Sequence, residues 1–506
     1  MNVTFINAIR SYLSGEGAVI LPEIELLLFG LGILLIDFWI EQKEKYLNAG
    51  LALAGTLFSA FTLWRLRGAV AARGAFFGFH QSAVIDSFFI FFGALFLAAT
   101  ALVILLSVKY LEIEKEQEGE YYALLLFACI GMMFMASGVD LIVMFLGLET
   151  MALSFYVLTG FLRREKRSNE AALKYVLLGA FSSAILAYGF SLLYGLSAFS
   201  QSQMRPSTNI GQIGAALENR LRMSIGNGSP DWLAILAFVA VLAGLFFKIG
   251  AVPFHQWAPD VYEGAPTPIS AYVSVASKTA SFALLLRLMF VFGSTHVAWM
   301  YLVAGVAVAS LTWGNLAALT QTNVKRLLAY SSISHVGYIL LGLVAGNNTA
   351  FTGIAFYLFA YVFMTAGAFA VVIVLRQKGL VGEELDDLNG LYQRSPAAAL
   401  LLLIFMLSLA GIPPTAGFMG KYFIFLSLIE THHPLLAVFA VLYIVPALYY
   451  YFRIVVHAWL KQPGEAPRPS MTSAQAVALG IAVFVTLAAG LYPEPFTRLA
   501  KYAFGQ

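Results

Sequence analysis

Long apolar runs, separated by short polar breaks, fill the chain from about residue 18 almost to its end. A helix needs roughly 20 apolar residues to cross a bilayer. By that measure the runs predict about fourteen spans, starting near 18, 46, 83, 121, 140, 170, 231, 265, 297, 324, 349, 395, 434 and 472. The stretch 200–230, QSQMRPSTNIGQIGAALENRLRMSIGNGSP, is polar and rich in Gly and Ser and reads as an extramembrane loop. The pattern predicts an all-α membrane protein with no separate soluble domain.

Two runs break the pattern in the same way. Leu233 to Arg287 carries Lys248 deep in apolar sequence, then Pro253 and a polar turn, HQWAPDVYEGAPTP, then a second apolar run with Lys278. SLAGIPPTAGFMGKYFIFLSL carries Pro413 and Pro414, with Lys421 after them. Proline removes an internal hydrogen bond, so the seventh and twelfth spans should break, at mid-membrane depth. Interrupted helices in corresponding positions point to inverted repeats with a transport site between them. The offset implies five-helix repeats, spans 4–8 and 9–13. The chain then divides into three N-terminal helices (1–119), a first repeat (120–293), a second repeat (294–462) and a last helix with its tail (463–506).

Composition agrees: mean hydropathy is +0.81 and 11% of residues are charged, against about 25% in soluble domains. A net charge of +3 gives no case for nucleic acid. Cys129, the single cysteine, lies in an apolar span, reads as a small core residue and cannot build an iron–sulfur cluster. The first apolar run is too long for a signal peptide and carries Glu23 and Glu25 where one should be bare. Connections after odd-numbered spans hold sixteen Lys and Arg and the remaining segments nine. Excess basic charge marks the cytoplasmic side, so both termini should face away from it.

Charge at membrane depth is costly and by default marks a pathway for charge. Glu149 lies about nine residues into the fifth span with apolar sequence on both sides. It is the natural partner for Lys248, since a lysine left unpaired in lipid would lose its proton. Lys174 opens the sixth span, and interface snorkelling and an inward role are both open to it. His255, Asp260 and Glu263 share the irregular turn after Pro253 without metal-ligand spacing. They read as a rigid polar turn that admits protons. His335 stands on the tenth span among Ser331, Ser332, Ser334 and Tyr338, between Lys278 and Lys421 in sequence. A water-linked relay through it competes with a packed histidine.

The chain resembles the antiporter-like membrane subunits of respiratory complex I, and among them subunit N. The resemblance covers nearly the whole chain. It rests on FLGLETMALSFYVL, GLFFKIGAVPFHQWAPDVYEGAPTP, SVASKTASF, VKRLLAYSSISHVGYILLGL and LAGIPPTAGFMGKYFIF. The first four are shared with cation/proton antiporter subunits. Lysine at 421 favours subunit N, because subunit M carries glutamate there; subunit L is longer and ends in a lateral helix. The resemblance implies a proton-translocating module of NADH-quinone oxidoreductase in a bacterial inner membrane. Glu149 and Lys248 would be its coupling pair, Lys278 the central carrier, His335 the connector and Lys421 the exit-side group. It implies no cofactor in this chain, with NADH, FMN, iron–sulfur clusters and quinone in partner subunits, and subunits M, K and J as neighbours. A subunit of a multi-subunit sodium/proton antiporter, a related photosynthetic or hydrogenase complex, and a scaffold with structural lysines are the alternatives.

Overall fold

The computed structural model describes residues 16–198, 206–227, 231–291, 296–376, 382–463 and 468–505. Thirteen helices among them are long and apolar enough to cross a membrane. A further crossing, the twelfth in chain order, consists of two 15-residue helices, Pro396–Ala410 and Ala416–Glu430. The fourteen expected spans are therefore all present, each starting within a few residues of its expected position. Many starts are written in capping residues, which give the free N–H groups of a first turn an acceptor. Asp86, Asp140, Asp231, Asn323 and Asn347 each accept from the backbone two or three residues on.

The eighth span (Thr267–Met289), tenth (Val324–Ala345) and eleventh (Asn348–Leu375) are enclosed almost all round. The ninth, thirteenth and fourteenth (Trp299–Ala318, Pro434–Trp459 and Ser473–Leu491) turn much of their surface outward. Polar side chains of the three central helices are thus held away from lipid, which suits a chain with lysine and histidine at depth. Small residues set the close approaches. Gly131 of the fourth span (Gly119–Ser137) packs so tightly on the fifth (Leu141–Thr159) that an added Cβ would lie 2.4 Å from the Met151 nitrogen.

Both expected breaks are present and share one construction. The seventh span (Trp232–Ile249) ends at Gly250, φ +74°, with Gly250 N–H on Phe247 O at 3.0 Å and Ala251 N–H on Phe246 O at 2.8 Å. The first half of the twelfth ends at Gly411, φ +85°, with Gly411 N–H on Ser408 O and Ile412 N–H on Leu407 O, both at 3.0 Å. This left-handed cap satisfies two otherwise free carbonyls, and only glycine takes that φ without cost. The depths differ from expectation. Fifteen residues lie on each side of the second break, which is central. Eighteen precede the first and only an eight-residue helix, Trp257–Gly264, follows, so this break lies toward one end of its span.

The 200–230 loop is a correction. Ile210–Asn227 is a helix, with Ile210, Ile213, Ala216 and Leu217 buried on one face. Its apolar spacing is helical, but the polar composition hides it; residues 199–205 and 228–230 lie outside the described set. Phe76–Gly78 and Ala83–Ile85 form a small antiparallel hairpin, where the third span was expected to begin. The sixth span starts at Lys166, so part of the charged RREKR segment is helical.

Gly131→Ala should force the fourth and fifth spans apart, at about 1–3 kcal/mol for overpacking. Gly480→Ala, where a Cβ meets open space, should be neutral or slightly stabilising. Thermal melts of the purified protein check this; equal melting points for the two variants would contradict the packing described.

Candidate functional site

Every third residue along one face of the tenth span is polar: Ser332, His335 and Tyr338. Residues three apart lie on one helix face, so the three stack as a line about 9 Å long at 1.5 Å per residue. At one end Lys278 Nζ donates to Ser332 Oγ at 2.5 Å. In the middle both ring nitrogens of His335 are held by phenols, Nδ1 with Tyr357 at 2.7 Å and Nε2 with Tyr451 at 3.0 Å. At the other end Lys421 Nζ lies 4.8 Å from the Tyr338 ring centre. The three helices that carry Lys278, His335 and Lys421 thus converge on one buried line. A phenol both donates and accepts, so the imidazole can exchange its proton between nitrogens without turning.

The two flanking lysines meet the two breaks. Lys421 Nζ donates to Ala410 O at 2.9 Å and Leu409 O at 3.3 Å, the last carbonyls of the interrupted helix. A cation is favoured at a helix C-terminus. A Cβ on Gly411 would lie 3.0 Å from that ammonium, and one on Gly250 would lie 3.8 Å from Lys278 Nζ. In each half a lysine therefore stands over the left-handed glycine that ends the broken helix. In the first half it arrives from the next span; in the second it arrives from beyond the break. A π-helical segment, Val273–Ser277, directly precedes Lys278; such segments gather at functional sites.

Lys248 is buried in the last turn of the seventh span. The ion pair expected between it and Glu149 is not formed. Lys248 Nζ stands instead 5.9 Å from the ring centre of Tyr156, and has no hydrogen-bond partner in the protein. Tyr156 lies two turns beyond Glu149 on the same face of the fifth span. It has room because Gly179 of the sixth span has no side chain: a Cβ there would lie 2.0 Å from the Tyr156 hydroxyl. The aromatic ring takes the ammonium at the point where the carboxylate was expected. Glu149 is half-buried, and its Oε1 likewise has no partner.

Lys174 and the polar turn belong to a separate cluster. Lys174 bonds Asp260 and Glu170, each at 2.8 Å, and Arg326 bonds Asp260 at 2.7 Å and Glu263 at 2.9 Å. Partial burial works the other way, but the Lys174 and Arg326 bonds hold the Asp260 carboxyl below the usual carboxylate range. His255 is buried with its ring 5.9 Å from that of Trp313. Asp260 and Glu263 are thus spent on cations. Asp37, Glu118 and Glu120 converge elsewhere, where Lys45 bonds both Asp37, at 3.3 Å, and Glu118.

Sequence reading missed Tyr156, Tyr357 and Tyr451, which touch the expected residues from other helices and have no signal of their own. It also counted Lys325 among exposed connection charges, whereas Lys325 is 1% exposed and paired with Glu383 at 2.9 Å.

Residues 138–445 match the family model for the membrane-spanning part of NADH:quinone oxidoreductase and Mrp antiporters. NADH-quinone oxidoreductase subunit N 2 of Solibacter usitatus is 51% identical over 97% of this chain and 98% of its own length. The chain belongs to the NADH-quinone oxidoreductase subunit N family. A chain of respiratory complex I from Thermus thermophilus, solved with bound aureothin, is 31% identical, with TM-score 0.77 over 95% of this chain and all of that one. A chain of the Mrp complex from Dietzia sp. superposes with TM-score 0.82 over 95% of this chain and 96% of its own, at 20% identity, which shows a common fold. The matched region of this subunit N-type chain contains Glu149, Lys248, Lys278, His335 and Lys421.

Ser332→Ala should remove the hydroxyl that receives Lys278 and cost about 1–3 kcal/mol, as for a buried donor left unmet. Ser331→Ala, whose hydroxyl returns to Leu328 of its own helix, should cost under about 0.5 kcal/mol. Thermal melting of the purified complex compares them, and equal losses would contradict the Lys278–Ser332 bond.

Proposed function

We propose that the chain is a proton-translocating membrane-arm subunit of NADH:quinone oxidoreductase, driven by electron transfer in other subunits. The observation that carries the reading is the buried line from Lys278 through Ser332 and His335 to Lys421, with both phenols on the imidazole. Lysine is the side chain whose protonation responds most readily to burial. A serine hydroxyl and a doubly bonded imidazole are groups through which a proton passes by exchange of hydrogen bonds. NADH, FMN, iron–sulfur clusters and quinone belong to partner subunits in this reading, and subunits M, K and J are the membrane neighbours. The membrane is the bacterial inner membrane, with both termini on the non-cytoplasmic side. The extent of identity with subunit N relatives favours redox coupling over sodium/proton antiport.

Glu149 and Lys248 are the coupling element. In this reading the unpaired state, with Lys248 beside the Tyr156 ring, is one of two arrangements. In the other, Glu149 swings to the ammonium and holds it charged. A charge introduced or withdrawn by the neighbouring subunit shifts Glu149 between them. Each pKa unit so moved is worth about 1.4 kcal/mol.

Glu149→Ala and Lys248→Ala should each leave the complex assembled on a native gel and lower protons pumped per electron severely. Glu149→Asp should be milder, because the charge survives on a shorter stem. Normal pumping by Glu149→Ala would remove the pair from the mechanism.

A further inference from the structure

The tenth span begins, at its first turn, with a buried ion pair that lies outside the line from Lys278 to Lys421. Lys325 Nζ donates to Glu383 Oε1 at 2.9 Å and to Ala265 O at 2.7 Å, and the hydroxyl of Thr267 donates to the same Glu383 oxygen at 3.2 Å. Ala265 and Thr267 are where the polar turn passes into the eighth span. Glu383 is held in register: Val324 N–H donates to Glu383 O at 2.7 Å, and Leu385 N–H to Thr322 O at 3.0 Å. The pair therefore ties the starts of the eighth and tenth spans to the connection after the eleventh.

Over the pair lies a cavity of about 270 Å³ that includes both residues in its wall. Its other charged and titratable walls are Tyr110 from the third span (Ser87–Glu114), Glu165 and Arg167 at the start of the sixth, Glu263 from the polar turn, and Arg376 after the eleventh. Arg376 is itself bonded to Glu114 at 2.7 Å. A second polar cavity of about 200 Å³, around the Lys174–Asp260–Arg326 cluster, shares Arg167, Glu263 and Gly264 with the first. Both lie at the end of the bundle formed by the connections after odd-numbered spans. Below the pair, Ser332 lies seven residues, two turns, further along the same helix face, and Ser332 receives Lys278.

We propose that this cavity is where protons enter the subunit from the aqueous phase, and that Glu383 and Lys325 are the groups that take them up and pass them toward Ser332 and Lys278. The inference rests on the relay reading of Lys278, His335 and Lys421. A proton from cavity water binds the Glu383 carboxylate, whose hold on Lys325 then weakens. The Lys325 ammonium releases a proton inward and regains one from Glu383. One proton enters the pair, one leaves, and its charge is restored. A buried ion pair is often no more stabilising than apolar residues of equal volume, so its place at the floor of a polar cavity asks for a use.

The test uses the assembled complex in liposomes, with the pH of the phase at this end set separately. Glu383→Gln should lower protons pumped per electron by about the share lost in Glu149→Ala. Glu383→Asp should restore most of it and shift the profile against the pH at this end alone, a change that a merely structural pair would not produce. Pumping by Glu383→Gln at the wild-type ratio, with Glu149→Ala defective, would overturn the inference and leave the relay standing. Wild-type pumping by both would sink the relay itself. Should Glu383→Gln fail to assemble, Glu165→Cys places a thiol in the cavity wall while the buried Cys129 stays out of reach. A bulky impermeant thiosulfonate at that site should lower pumping until it is reduced off. Unchanged pumping after full labelling would overturn the inference.

Discussion

Two helices of this protein stop inside a bundle of apolar spans, where apolar side chains offer their last carbonyls no donor. Backbone groups so freed must be met by protein or by a wet cavity. The left-handed turns at Gly250 and Gly411 meet some of them. Lys421 meets Leu409 and Ala410 with an ammonium. Once a cation is needed there, the rest follows. It must be shielded from lipid, so the helices around it are the enclosed ones. It must have polar company, so Ser332, His335 and Tyr338 occupy one face of the central helix. At the second break the group that caps the broken helix, Lys421, is also a carrier in the proposed relay.

The two halves solve this problem with different residues. Lys421 caps its own interrupted span, whereas Lys278 reaches over Gly250 from the following one. That difference leaves Lys248, beside the first break, without a carbonyl or hydroxyl to hold. It rests near the Tyr156 ring and is not bonded to Glu149. In the proposed relay the loosely held Lys248 is the charge that a neighbouring subunit moves, and Lys421, held by two carbonyls, is the terminus.

Sequence supplied the crossings almost completely, because lipid forces long apolar runs and proline forces breaks. It also supplied Glu149, Lys248, Lys278, His335 and Lys421, since ionisable residues stand out in such runs. Long-range partners were not legible. Tyr357 and Tyr451 are two among many buried aromatics, and only folding shows that they flank His335. Lys325 failed for the opposite reason: it sits beside Arg326 at a helix start, where charge usually means water, yet it turns inward to Glu383. The helix at Ile210–Asn227 was hidden because its apolar residues are few and spaced for one face only.

In the proposed relay the cation capping the second break is also a proton carrier. Protons pumped per electron in liposomes, measured for Lys421→Arg and Lys421→Leu with assembly verified by native gel, separate the two roles. Arginine can cap the carbonyls but does not release its proton, and leucine can do neither, so both variants should give a low ratio. If Lys421 only capped the break, arginine would keep the wild-type ratio, since its guanidinium can take the same carbonyls. A wild-type ratio for either variant would show that Lys421 is not a carrier.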